Sequence, residues 1–230
     1  ANNVGIGGYS AAATTGASNI AIGYGAYQAG TTANYNIAIG ESAINTGVTT
    51  GNYNIAIGYQ AGNALTSGTY NVAVGNQALD ANTTGERNVA VGGTALGANT
   101  TASNNVAVGD VALAATTTGI NNVAVGVYSA TSNTTGTRNV AIGYGAYQGA
   151  TTGGYNVAIG FEAMQAGTVT ADSNVCVGGY SGMQITSGGS NVAVGYEALD
   201  AITTVSSLTA VGASALTANT SGTLNTAVGY

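Results

Sequence analysis

A five-residue unit, Asn-Val-Ala-Val-Gly or a close variant, recurs fourteen times, starting at Asn3, Asn19, Asn36, Asn54, Asn71, Asn88, Asn105, Asn122, Asn139, Asn156, Asn174, Asn191, Leu208 and Asn225. All but three of the intervals are 17 residues. A fixed period of this length marks a stacked architecture, in which each turn of chain contacts mainly the turns before and after it. Chemistry in such a fold belongs to columns of equivalent residues.

Within the unit, successive side chains alternate faces as in a strand. The residues flanking the central one are β-branched in nearly every copy, as in Val72 and Val74 or Ile37 and Ile39. They are expected to fill the inside of the coil. The central residue is always small, and so is expected to face outward against a close neighbour. The Gly that follows, such as Gly75 or Gly92, reads as a corner needing positive φ or close backbone approach. A second short strand is expected over Gln77-Ala78-Leu79 or Glu197-Ala198-Leu199, followed by a Thr-Thr-Gly turn such as Thr83-Thr84-Gly85.

A single coil of this size buries too few apolar side chains to offset the ordering of its backbone, so stability must come from stacking. Residues 1–230 are predicted to form one all-β domain, a parallel β-solenoid of about 14 coils and roughly 65 Å at ordinary strand spacing. The 16-residue first interval and the 18-residue intervals at Asn36 and Asn156 are expected to differ only in their turns. Because the chain opens and closes within a repeat, it is expected to be a segment of a longer fibre.

Two Arg, no Lys, no His and a net charge of −6 exclude binding through phosphate neutralisation, hence nucleic acid and anionic membrane surfaces. The apolar runs are too short to cross a bilayer as helices, so no membrane insertion by this segment is expected. The eight carboxylates scatter over different positions, and Asp80 and Asp200, which share a column, lie seven coils apart. Without a His base or a partner for Cys176, no catalytic residues, metal or cofactor are expected.

An outward column of small residues would leave an uncharged stripe that invites a partner. Its candidate members are Ala38, Ala56, Ala73, Ala90, Ala107, Ala124, Ala141, Ala158, Cys176 and Ala193. Rotational symmetry about an axis would bury every copy of the stripe, so these residues are the expected subunit interface.

The copies Asn54-Ile55-Ala56-Ile57-Gly58 and Asn139-Val140-Ala141-Ile142-Gly143 resemble the core repeats of the heads of trimeric autotransporter adhesins, and are similar to repeats in bacteriophage tail fibres. The resemblance runs the length of the chain. It implies a left-handed parallel β-roll, a homotrimer, and an extracellular, cell-surface or virion-borne fibre that attaches to a surface or host. The period here is a few residues longer than in adhesin heads.

The Asn column is expected to form a ladder of amides bonded from coil to coil, broken at Leu208. Tyr35, Tyr53 and Tyr70 precede Asn on successive coils with Arg87 on the next, and Arg138 is followed one coil later by Tyr155. These six residues are the candidate binding surface, an aromatic and cationic strip suited to cell-surface glycans or other receptors. Asn82, Asn99, Asn133 and Asn219 lie in glycosylation sequons. A Thr column that includes Thr66, Thr83, Thr100, Thr117, Thr134, Thr151, Thr186, Thr203 and Thr220 supports a rival reading, an ice-binding solenoid.

Overall fold

The computed structural model describes residues 2–11, 14–28 and 30–230. Among them there is no helix, and the fourteen expected coils each contribute one three-residue strand. The chain forms two compact units, Ala1–Thr118 and Gly119–Tyr230. The first carries β1 (Val4–Ile6), β2 (Ile20–Ile22), β3 (Ile37–Ile39), β4 (Ile55–Ile57), β5 (Val72–Val74), β6 (Val89–Val91) and β7 (Val106–Val108). The second carries β8 (Val123–Val125), β9 (Val140–Ile142), β10 (Val157–Ile159), β11 (Val175–Val177), β12 (Val192–Val194), β13 (Thr209–Val211) and β14 (Thr226–Val228). In both units the pairing is parallel, sequential and in strict repeat register, with Ala56 beside Ala73 and Ala158 beside Cys176. Each unit is a parallel β-solenoid.

The strand faces are the reverse of the expectation. Ala38, Ala90, Ala107, Ala124, Ala141, Ala158, Cys176 and Ala193 are fully buried within their own chain, and Ala56 and Ala73 are 2 % exposed. They cannot be a subunit interface. The flanking Val and Ile residues point outward, with Val91, Val108, Val125 and Ile142 between 36 and 38 % exposed. The reason is the narrowness of the coil. Its interior is already filled from the opposite side by Leu79, Leu96, Leu113, Met164 and Leu199 and from the ends by buried Asn, so the strand can add only a methyl group. At Cys176 the larger sulfur is accommodated because Gly182 stands in the Leu column; a Cβ there would lie 2.5 Å from Sγ.

The second strand is also absent. Gln77 and Leu79, like Glu197 and Leu199, have φ between 52° and 55°, and the segment between corner and Thr stretch is a run of turns. A left-handed residue at every second position curls the chain too tightly for a ladder. The corner Gly behaves as expected: Gly75 has φ 139°, and a Cβ on it would lie 2.5 Å from the carbonyl oxygen of Gly92 in the next coil. Conformation and stacking both require glycine there.

The Asn column is the axial tie. In the first unit the amides of Asn36, Asn54, Asn71 and Asn88 donate to the Oδ1 of the preceding ladder Asn at 2.8–3.0 Å. The Nδ2 of Asn54 and of Asn71 donates to the carbonyls of Gly68 and Gly85 at 2.9 and 2.8 Å. The second unit repeats the pattern through Asn139, Asn156, Asn174 and Asn191. At Leu208 the row ends: its amide still donates to Asn191 Oδ1 at 3.0 Å, and its side chain is buried, as are Ile202 and Val205. Amide bonds are exchanged there for apolar burial.

Asn71→Ala removes the acceptor for the Asn88 amide, a buried group whose loss of partner costs roughly 1–3 kcal/mol, while Gly85 O loses one of its two donors and keeps Asn82 Nδ2 at 3.0 Å. Chemical denaturation should show a loss of about 1–3 kcal/mol. A loss below about 0.5 kcal/mol, the level of a neutral surface change, would contradict the axial role.

Candidate functional site

From Asn19 onward, the residue before each ladder Asn takes a left-handed backbone conformation, with φ 59° at Tyr35, 60° at Tyr53, 58° at Tyr70, 55° at Arg87, and 58° at both Arg138 and Tyr155. This is costly for residues other than Gly, Asn or Asp. The geometry is held because hydrogen bonding reverses direction at that point. The Tyr53 amide donates to Asn34 O on the previous coil at 3.2 Å, whereas the Ile55 amide, two residues on, donates to Asn71 O on the next at 2.8 Å. The twist leaves the side chains of Tyr35, Tyr53, Tyr70 and Tyr155 about half exposed.

In the first unit the structure brings Tyr35, Tyr53, Tyr70 and Arg87 together. The Tyr35 and Tyr53 rings stack at 5.1 Å and 4°, those of Tyr53 and Tyr70 at 5.0 Å and 7°, and the Arg87 guanidinium lies 5.7 Å from the Tyr70 ring centroid. Arg87 also pairs with the exposed Glu86 at 3.1 Å, a contact of little energetic weight in water. In the second unit Arg138 lies 5.1 Å over the Tyr155 ring and donates to its hydroxyl. Tyr53 has both ring faces covered by its neighbours, so the strip offers ring edges and hydroxyls to a ligand, and only its ends offer a free π-face.

A second aromatic row follows the corner. In the second unit Tyr128, Tyr144, Phe161, Tyr180 and Tyr196 form an unbroken series over five coils, with centroids 5.4–5.8 Å apart. Tyr144, Phe161 and Tyr196 come directly after the corner Gly. Where a second Gly, Gly179, holds that position, Tyr180 supplies the ring from one residue later. Tyr9 does the same after Gly8 in the first unit, meeting Tyr24 edge to face at 5.7 Å. Reading only the pre-Asn position misses this row. Its sequence signal is the aromatic after Ile-Gly or Val-Gly.

The remaining columns are spent on the fold. Asn82, Asn99 and Asn133 are buried, and each Nδ2 donates to the backbone carbonyl three residues on; these sequons are closed to glycosylation in the folded chain. The hydroxyls of Thr66, Thr83, Thr134 and Thr186 donate to a Thr carbonyl on the next coil. What remains outward is the second Thr of the pair, as at Thr84, Thr101 and Thr135.

Two tyrosines lie inside the coils. Tyr27 and Tyr147 are fully buried, each on the coil preceding an 18-residue one, and their hydroxyls accept hydrogen bonds from Asn36 and Asn156 Nδ2 at 3.0 and 2.6 Å. A Cβ at Gly30 would collide with the Tyr27 ring, so the large ring and the missing side chain are complementary. Burial pushes the Tyr27 phenol up to about 12, against the hydrogen bond from Asn36, and raises Tyr147 as well. Burial also pushes the Cys176 thiol up to about 12, which leaves it un-ionised and inert near neutrality. Among the described residues no group of three or more His, Cys, Asp or Glu could hold a metal ion, and no helix is long and apolar enough to cross a membrane.

No protein-family model, curated protein or solved structure matches the chain.

Because the folded phenol ionises later than a free one, stability is complete below about pH 10 and falls as pH rises from there to about 12. Tyr27→Phe, which leaves Asn36 Nδ2 its bond to Gly51 O at 3.0 Å, should flatten part of that decline in denaturation midpoints measured across the window. An unchanged slope in both Tyr27→Phe and Tyr147→Phe would contradict the assignment.

Proposed function

We infer that the chain is a structural and adhesive segment of an extracellular fibre, carried on a bacterial surface or a phage particle, in which three copies associate as a left-handed β-roll. The observation that carries this reading is the outward Val/Ile column. Two β-branched side chains per coil, repeated over seven coils, give each unit an uncharged apolar strip on the order of 600 Å², the upper end of what soluble monomers expose. It includes Val91 and Val108 in the first unit and Val125, Ile142 and Val211 in the second.

The partner surface is thus moved from the buried Ala column to its Val/Ile neighbours. A rotationally symmetric bundle still serves, since it covers the same strip on every copy. The threefold count comes from the resemblance of the Asn-Ile-Ala-Ile-Gly units to trimeric adhesin heads. In such a fibre the tyrosine and arginine columns would be displayed three times around the symmetry axis, and weak contacts to surface glycans or other receptors would add through avidity.

Sedimentation equilibrium at micromolar concentration tests the assembly. The expected mass is three chains, and Val91→Glu with Val108→Glu should reduce it to one while the β-rich circular dichroism persists. A wild-type chain that stays monomeric would overturn the trimer.

A further inference from the structure

In the second unit, the 18-residue coil that starts at Asn156 opens a groove of about 430 Å³ on the turn side of the solenoid. Successive coils each contribute a polar side chain to it: Ser132, Gln148, Gln165 and Gln184, with the Met183 thioether as the large apolar member. No charged residue lines it. Gln165 Nε2 donates to Gln148 Oε1 at 3.1 Å. That one bond fixes both amides yet leaves Gln148 with its NH2 group and Gln165 with its carbonyl oxygen directed to no protein partner.

The groove is not an automatic product of the longer coil. In the first unit the matching 18-residue coil starts at Asn36, and its polar side chains are spent on their own chain: Asn45 Nδ2 donates to Ser42 Oγ at 3.1 Å and Asn63 Nδ2 to Ser42 O at 2.8 Å. A Cβ at Gly47 there would lie 2.6 Å from Thr66 Cγ2. At the equivalent Gly167 a Cβ would meet nothing within 4 Å, and the backbone is outside the left-handed region. Neither conformation nor packing calls for glycine at 167; its lack of a side chain keeps the groove open.

We propose that this groove binds a ring of a neutral carbohydrate, with the side-chain amides of Gln148, Gln165 and Gln184 holding its hydroxyls. Each carboxamide offers a donor and an acceptor side by side, the pattern that a pair of adjacent sugar hydroxyls complements. Met183, with Ala166 also in the lining, supplies the apolar surface needed under the C–H face of a ring. The volume is at the small end of the range for ligand sites, and the absence of Arg, Lys, Asp and Glu disfavours charged sugars and ions. A peptide ligand would need an apolar pocket for a side chain, which this groove lacks.

The biological use of this site rests on the adhesive reading, but its occupancy can be measured separately. Neutral disaccharides (lactose, maltose and cellobiose) would be titrated into 15N-labelled protein whose mass has been determined on the same sample, with 3′-sialyllactose and the peptide Gly-Gln-Ser as controls. The expected result is saturable shifts of the Gln148, Gln165 and Gln184 side-chain amide signals by at least one neutral disaccharide, with Kd on the order of 1 mM. Gln165→Ala should weaken binding at least about tenfold, and Gly167→Leu should abolish it with an unchanged unfolding midpoint. Absence of shifts with all three sugars, shifts that survive both Gly167→Leu and Gln165→Ala, or equal response to the peptide would overturn the proposal. A trimeric sample that ignores sugars sinks the groove alone, and a monomeric sample that binds them sinks only the assembly.

Discussion

Within each unit, a coil that carries a buried Asn is tied to its neighbours by an amide that has no other place to go. The ladder residues from Asn19 to Asn191 are at most 2 % exposed, so every side-chain oxygen and nitrogen there must find a protein partner or incur the cost of a buried unsatisfied group. The backbone amide of the next coil's Asn and the carbonyl 14 or 15 residues along provide those partners. This fixes the register within each unit, since a coil shifted by one residue would leave both groups unpaired. The strands, only three residues long, could not specify register by themselves.

The ladder also dictates what the surface can carry. Bonds to the previous coil and bonds to the next coil are made within two residues of one another, and the left-handed turn that permits this throws Tyr35, Tyr53, Tyr70 and Arg87 outward. A narrow interior packed with Leu, Asn and Ala pushes the β-branched residues out as well. The exterior therefore bears long columns with a spacing set by strand stacking: apolar Val/Ile, aromatic rings past the corner, and aromatic or cationic groups before the Asn. Such repetition suits contacts that are individually weak and numerous better than a single convergent site.

Much of this was legible in the repeat itself. The period points to the stacking, the recurring Gly to the corner, and the Asn in thirteen of fourteen copies to a ladder of amides bonded from coil to coil. The inversion of the strand faces was not legible, because alternation tells which residues share a side and leaves open which side is inside. Coil width decides that, and width depends on Leu79 and its equivalents reaching across, a long-range fact. The second strand was misread for a related reason: Gln77-Ala78-Leu79 has the composition of a short strand, and only the left-handed φ values at its ends reveal successive turns. Tyr27 and Tyr147 were missed although each sits in the slot that Leu occupies elsewhere; a column-by-column alignment of the coils shows the substitution. The Ser132–Gln184 groove draws its lining from four successive coils, a juxtaposition that no single repeat of the sequence reveals.

The most direct measurement of the axial tie is hydrogen exchange of asparagine side-chain carboxamides, followed residue by residue by nuclear magnetic resonance. If the ladder holds the coils together, the Nδ2 hydrogens of Asn54, Asn71, Asn88, Asn139 and Asn174 exchange only with unfolding, far more slowly than those of the part-exposed Asn52. Exchange of the ladder carboxamides at the rate of Asn52 would show that they face water, and the account of the fold would fail with them.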